Sequence, residues 1–339
     1  MTDTPLPVGK LDAEQLKTLL GTIASDDPSV ILGPGVGRDV AVIDNGAANY
    51  LLAKTDPITF ATDAIGYYVV NVNANDIATS GGLPRWFLAT ALLPDGASTA
   101  TTAADIFTQI DEACRAIDVA LVGGHTEVTS NLDRPIVVGQ MLGEVPRDRL
   151  ITPEGLCVGD AIILTKALPL EGTALIAREK RDDLLCAGFE PGMLARCAEM
   201  LYEPGISVLL DARIAVAAGP VHAMHDPTEG GVATGLWELA EAAGVGLRIE
   251  YEAIPVLDEA RHICSHYGLD PLGLLASGSL LIACAPDGAA PITAALAAHG
   301  IHAAVIGHAL PAAEGIALLR DGVAEPLPRY DQDELTRIL

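Results

Sequence analysis

The chain is short of aromatic residues, of positive charge and of paired cysteines, and each shortage narrows its function. Phe, Trp and Tyr make up only 4% of its 339 residues, although half of the sequence is hydrophobic. Its core must therefore be built from Ala, Leu, Val and Ile. Lys and Arg number 20 against 45 Asp and Glu, giving a formal charge of −25. Such a chain repels phosphate-rich surfaces, so nucleic acid and anionic membranes are not expected as partners. A phosphorylated small ligand stays possible where metal ions separate the two sets of negative charge. Solubility alone is the other reason for most of these acids. No apolar run approaches the ~20 residues of a membrane span. The opening Met1-Thr2-Asp3-Thr4-Pro5 has no basic region followed by an apolar one, so no signal peptide is expected. Cys114, Cys157, Cys186, Cys197, Cys264 and Cys284 are scattered without a CxxC pair, as for reduced thiols in a cytoplasmic protein.

Several catalytic signatures are also missing. No Gly-x-Ser-x-Gly elbow supports a hydrolase nucleophile. Gly33-Pro34-Gly35-Val36-Gly37 is glycine-rich, but no Gly-Lys-Ser/Thr follows, so it is not a Walker A loop. A strand-like run follows it, unlike a dinucleotide-binding turn; a plain glycine-rich hairpin explains it equally. His262 and His266 are four apart without the Glu of a zinc-protease helix, and read as surface residues.

What is present is a repeating alternation of strand and helix patterns. The length suggests two domains, 1–152 and 153–339, divided within the polar, turn-rich stretch from Pro146 to Gly159. A helix is expected over 11–24. Strands are expected at Val30–Leu32, Val40–Asp44, Tyr50–Pro57, Trp86–Pro94, Val119–Val122 and Ile136–Val145. Ser98 is placed to cap a helix from Thr99 to Ile117. In the second half, helices near 171–181, 190–202, 206–218 and 258–267 are interleaved with strands such as Asp160–Lys166 and Ser279–Ala285.

The most informative stretch is Asn71-Val72-Asn73-Ala74-Asn75-Asp76-Ile77-Ala78-Thr79-Ser80-Gly81-Gly82. Ile65, Val69, Val72 and Ile77 recur at helical spacing, and Gly81-Gly82 then Pro84 stop the helix. Asp76 lies near the C-terminal end, where the helix dipole favours cations. Its carboxylate calls for a compensating cation unless water solvates it. Asp39, Asp56, Glu127 and Asp226 likewise stand at strand exits or helix starts. Gathered together, such carboxylates suit Mg²⁺; taken singly, each can be a cap or turn residue. Asp226-Pro227-Thr228-Glu229 itself reads as an N-cap, N1 and N3 set, while Gly230-Gly231 would let backbone or a phosphate come close.

Five motifs in order resemble the superfamily of aminoimidazole ribonucleotide (AIR) synthetase, selenophosphate synthetase, thiamine-monophosphate kinase and the HypE-type hydrogenase maturation factor. They are Gly37-Arg38-Asp39-Val40-Ala41-Val42, Thr55-Asp56, Val72–Gly82, Gly123-Gly124-His125-Thr126 and Asp226-Pro227-Thr228-Glu229-Gly230-Gly231-Val232-Ala233-Thr234. They span about residues 30–310, and the last is especially similar to the HypE motif.

The resemblance implies a PurM-like fold. It combines an N-terminal α/β domain, whose sheet joins that of a second copy in a barrel, with a C-terminal α+β domain. It implies a homodimer acting on ATP and Mg²⁺ to activate a substrate oxygen by phosphoryl transfer, which needs positioning and charge neutralisation. Asp39, Asp56, Asp76 and Asp226 would be metal ligands, with Asp56, Asp76 and Asp226 closest to the chemistry. Gly37, Thr55, Asn75, Gly123, Gly124, His125, Thr126, Thr228 and Gly230 would line the nucleotide. The acceptor would be a small-molecule or protein-borne substrate. A small-molecule kinase and a non-catalytic nucleotide-binding assembly factor are the rival expectations. Three departures stand out. The HypE-type factor ends in Cys, whereas this sequence ends Arg337-Ile338-Leu339. Arg38 replaces one member of the usual acidic pair. His125 stands where other members have Asp.

Overall fold

The computed structural model describes residue 6 and residues 8–23, 26–330 and 332–339. Among these, the chain divides into two compact units. One is Ser25–Pro34 with Asp39–Leu150, and the other is Met1–Ala24, Gly35–Arg38 and Ile151–Leu339. Helix α1 (Ala13–Leu20), capped by the Asp12 carboxylate, thus groups with the second half of the chain.

The 39–150 unit, which also includes the 30–32 strand, is a six-stranded sheet with two helices. Its strands are β1 (Val30–Leu32), β2 (Ala41–Ile43), β3 (Asn49–Ile58), β4 (Leu83–Pro94), β5 (Ala120–Thr129) and β6 (Ile136–Pro146), ordered β1-β2-β3-β6-β4-β5. The β4–β5 pair is parallel and the others are antiparallel. Side chains along β6 alternate between buried and half-buried from Ile136 to Val145, the period-two pattern of a sheet with one covered face. Helices α2 (Ile65–Thr79) and α3 (Ala100–Ala116) provide the cover. All but one residue of α2 is buried. A side chain at Gly66 would strike the α3 backbone at Ile110 N, 2.8 Å away, so glycine lets the two helices touch. Thr99, rather than the expected Ser98, caps α3 by accepting from Thr102 N–H.

The 151–339 unit holds a seven-stranded sheet of β7 (Ala161–Thr165), β8 (Ala223–His225), β9 (Gly246–Glu250), β10 (Leu281–Cys284), β11 (Ala303–Leu310), β12 (Ile316–Arg320) and β13 (Val323–Pro326). Their order is β13-β12-β9-β11-β7-β10-β8. Helices α4 (Leu170–Glu179), α5 (Arg181–Cys186), α6 (Pro191–Glu199), α7 (Leu209–Ala218), α8 (Gly231–Ala243), α9 (Asp258–Tyr267) and α10 (Pro286–Ala298) complete it. The apolar core joins Ile162 and Leu164 of β7 to Leu236 and Leu239 of α8 and Leu247 and Ile249 of β9. Aliphatic residues dominate it, as the composition required. Among the described residues no helix is long and apolar enough to cross a membrane.

Three local expectations change. Strand β5 does not end at Val122 but runs on through Gly-Gly-His-Thr-Glu to Thr129, and its residues from Ala120 to Val128 are exposed rather than buried. Helix α8 begins at Gly231 with Gly230 as a left-handed N-cap, so Asp226 is not the cap. The β12–β13 hairpin was not anticipated. It turns on Asp321-Gly322, both at positive φ, as a two-residue type I′ turn requires.

Candidate active site

The 39–150 unit gathers three of the expected carboxylates around one ammonium group. Residues i and i+2 of a strand share a face, so Lys54 and Asp56 on β3 both point towards α2. There Lys54 Nζ lies 3.0 Å from Asp76 Oδ1 and 3.4 Å from Asp56 Oδ2. Burial opposes the charge on Lys54, but the fields of Asp76, Asp56 and Asp39 outweigh it and hold its pKa well above the usual value. The compensating cation that Asp76 calls for is thus supplied, in part, by the chain itself.

Asn73, one turn before Asp76 on the same helix, ties this group to the sheet. Its Nδ2 donates to the carbonyls of Val69 at 2.8 Å and Asp56 at 3.2 Å. A Cβ at Gly139 would come within 2.4 Å of that nitrogen, so only glycine lets the amide pass. Asn73 Oδ1 is buried without a hydrogen-bond donor among the described residues. Asn75 is wholly buried in α2. The Thr55 hydroxyl donates to Gly139 O at 2.9 Å, and Thr79 closes the helix end by donating to Asp76 O at 2.7 Å. Carboxylate oxygens are hard donors, the type of ligand that Mg²⁺ takes.

Gly123-Gly124-His125-Thr126 lies on β5, with β6 and β4 between it and β3. At about 4.8 Å per strand, that places it roughly 14 Å from Asp56 across the sheet. The register nonetheless puts the two at one level: Asp56 pairs with Gly139, Gly139 with Ala89, and Ala89 with Gly124. A Cβ at Gly124 would lie 2.0 Å from Ala89 O, which accounts for that glycine. His125 Nε2 is 3.2 Å from Glu127 Oε2, and both side chains are exposed.

The 151–339 unit carries the remaining expected residues. Asp226 is buried immediately after β8. Its neighbour His225 contacts Glu238 of α8 through Nε2 and Oε2 at 3.0 Å. Gly230 and Gly231 both have positive φ; a Cβ would meet Thr234 Oγ1 at 2.2 Å in the first and Leu272 O at 2.4 Å in the second. Their close approach is therefore to the chain's own atoms. Asp333 accepts from Gly230 N–H at 2.8 Å, and burial pushes its carboxyl up to about 6. Lys10 donates to Thr228 Oγ1 at 2.9 Å and pairs with Glu229 at 3.2 Å. Burial works against the charge of Glu229, but Lys10 outweighs it and lowers the pKa. Gly37 at φ +72 lies against α8, where a Cβ would be 2.6 Å from Glu238 O, and Arg38 Nε donates to Glu154 at 2.7 Å. Lys54, Lys10 and Asp333 were not anticipated. For Lys54 the signal was available, because it stands two residues before Asp56 on a strand.

Two sheet-and-helix units, with aspartates collected at one strand end and the neighbouring helix, define an AIR-synthase-like protein. The models of AIR synthase related proteins match the chain over residues 37–145 for the N-terminal domain and 158–319 for the C-terminal domain, and the chain belongs to this family. Carbamoyl dehydratase HypE of Rhizobium leguminosarum bv. viciae is 30% identical over 289 residues, covering 84% of this chain and 77% of that protein. The crystal structure of E. coli HypE, a hydrogenase maturation protein, superposes with a TM-score of 0.74 at 26% identity, over 96% of this chain and 98% of that one. A hydrogenase maturation protein HypE in complex with ATP shares the fold, with a TM-score of 0.71 at 23% identity, over 96% and 94% of the two chains.

Proposed function

We propose that the protein is a HypE-related enzyme that uses ATP and Mg²⁺ to activate a substrate oxygen. The observation that carries this reading is the pairing of Lys54 with both Asp56 and Asp76, with Asp39 near enough to act on its charge. Carboxylates so placed supply the hard oxygen ligands that a metal–triphosphate takes. Mg²⁺, when bound, supplies the charge neutralisation that phosphoryl transfer demands. Asp39, Asp56 and Asp76 would hold it. Asp226 keeps, as part of the proposal, the metal or phosphate role that its motif suggests. Gly37, Thr55, Asn75, Gly123–Thr126, Thr228 and Gly230 are proposed to line the nucleotide.

Within the chain, Lys54 pairs with Asp56 and Asp76 and aims them, and Asn73 fixes α2 against the strand that carries Asp56. A substrate oxygen, from a carbamoyl, amide or carboxylate group, then attacks the γ-phosphorus and ADP departs. Loss of phosphate from the activated substrate completes the turnover. The name of the HypE relatives fits this chemistry, since removing water from a carbamoyl group requires its oxygen to become a leaving group.

The test is calorimetric titration of ATP with and without Mg²⁺. We expect Mg²⁺-dependent binding that Asp76→Asn weakens by at least about tenfold, corresponding to ~1.4 kcal/mol. Undiminished affinity in that variant would remove the metal assignment. Product analysis then distinguishes the chemistry: inorganic phosphate as the end product agrees with activation, and a stable phosphorylated product would make the protein a kinase. The acceptor is proposed to be a small molecule or a group borne on a partner protein.

A further inference from the structure

A second cluster of metal-binding groups lies in the 151–339 unit and includes none of the residues assigned above. Cys157, Asp160 and His222 each offer one donor atom, and all three donors lie within 4.8 Å of one another. We propose that this is a Zn²⁺ site.

The cluster is anchored by backbone on every side. Cys157 N–H donates to Asp160 Oδ2 at 2.8 Å, and Asp160 N–H returns to Cys157 O at 3.1 Å, so a tight turn sets thiol and carboxylate side by side. Asp160 leads directly into β7 and is clamped to β11, its carbonyl accepting from Ala309 N–H at 2.8 Å. His222 precedes β8 and donates its own N–H to Ala283 O at 2.8 Å. Gly155 seats the turn on this strand, since a Cβ there would be 2.1 Å from His222 O. Neither half of the cluster can drift far from the other.

The chemistry of the donors selects the ion. His222 Nδ1 is 2.9 Å from both carboxylate oxygens of Asp160. The thiol of Cys157 donates to Gly155 O at 3.2 Å. One thiolate, one imidazole and one carboxylate form a mixed set suited to Zn²⁺, with bonds of ~2.0–2.3 Å and donors ~3.3–3.8 Å apart in a tetrahedron. Asp160 is buried and Cys157 is exposed, so the fourth position faces solvent and takes a water. Binding replaces the thiol proton, and any proton between Nδ1 and the carboxylate, with the metal, so protons are released.

Co²⁺ reports such a site directly. The full chain is titrated with Co²⁺ and then back-titrated with Zn²⁺. We expect one equivalent to give visible bands of a four-coordinate ion and a near-ultraviolet thiolate charge-transfer band, both erased by Zn²⁺. Cys157→Ser should abolish the charge-transfer band and weaken Zn²⁺ binding by ~100-fold or more, beyond the effect of losing a group that merely orients a ligand. His222→Gln should weaken Zn²⁺ binding while keeping that band. Zn²⁺ should also protect Cys157 from alkylation and leave Cys186, the other exposed cysteine, fully reactive. Absence of a charge-transfer band, or its survival in Cys157→Ser, overturns the proposal, as does equal labelling of Cys157 with and without Zn²⁺.

Discussion

Glu171 shows what one buried side chain can impose on a whole chain. It lies inside α4, away from water, and burial pushes its carboxyl up to about 8, with further upward pressure from Glu229 and Asp333. In the unfolded chain the same group titrates near 4.5. Between these values the folded state holds a proton that the unfolded state has lost, so stability falls as pH rises. Asp333, raised to about 6, adds a slope of the same sign only over the acidic part of that window. Glu171→Gln keeps the shape and removes the titration. Denaturant unfolding at about pH 6 and pH 8 should show the native chain losing on the order of 2 kcal/mol and the variant losing little. An equal slope in both proteins would mean that Glu171 is ionised in the fold. The residue scale also explains a misreading. Asp226-Pro227-Thr228-Glu229 has the composition of a helix start, but Gly230 and Gly231 take left-handed conformations against Thr234 and Leu272. The helix therefore begins at Gly231, and Asp226 is left buried ahead of it. The contact of Gly231 with Leu272, about 40 positions further along the chain, has no counterpart in any local pattern.

At the scale of elements, α2 and β3 stand or fall together. Lys54→Met keeps most of the apolar stem but leaves Asp76 and Asp56 buried or half-buried with no ammonium between them. Breaking a buried pair in this way costs ~3 kcal/mol. Urea unfolding at neutral pH should show that loss. A variant as stable as the native chain at neutral pH would show that Lys54 does not carry the balance. Helix α2 was legible because its signals are local: apolar spacing from Ile65 and a Gly81-Gly82 stop give Ile65–Ser80, against Ile65–Thr79 in the structure. The need for a cation at Asp76 was legible too, from the dipole alone. Its identity was legible in part, since Lys54 stands two residues before Asp56 on β3, but the packing of α2 on that strand, which brings Lys54 to Asp76, was not. Strand β5 was cut short for the opposite reason. Gly123-Gly124 looks like a loop, yet Gly124 sits in the ladder because Ala89 O leaves no room for a Cβ. The Asp321-Gly322 hairpin was readable from its dipeptide, and only the weak, exposed strand after it hid the pairing.

At the scale of the whole molecule, the first sheet is unfinished as a single copy. Helices cover one face; on the other, Val138, Leu142, Leu88 and Leu92 are only half-buried. The edge is β5, with Leu121, Val122 and Val128 exposed by 37%, 53% and 60%. An apolar edge strand with open backbone groups invites another chain unless something covers it. We propose that a second copy does so, which makes the protein a homodimer through this sheet. Light scattering after gel filtration should give twice the chain mass of 35.1 kDa. Val122→Lys with Val128→Lys should give the single mass, because each partner would then bury an unpaired ammonium at the seam. The charge of the chain adds a signature that a generic sticky surface also lacks in one respect. Each copy carries a formal −25, so two copies repel over distances that salt screens. Dimerisation driven by apolar strands against that repulsion should tighten as NaCl rises from about 0.02 M to about 0.5 M, and the tightening should stop at the dimer. A native chain of single mass at every concentration and salt would overturn the assignment, and growth past the dimer at high salt would show that the exposed edge is not closed by one partner.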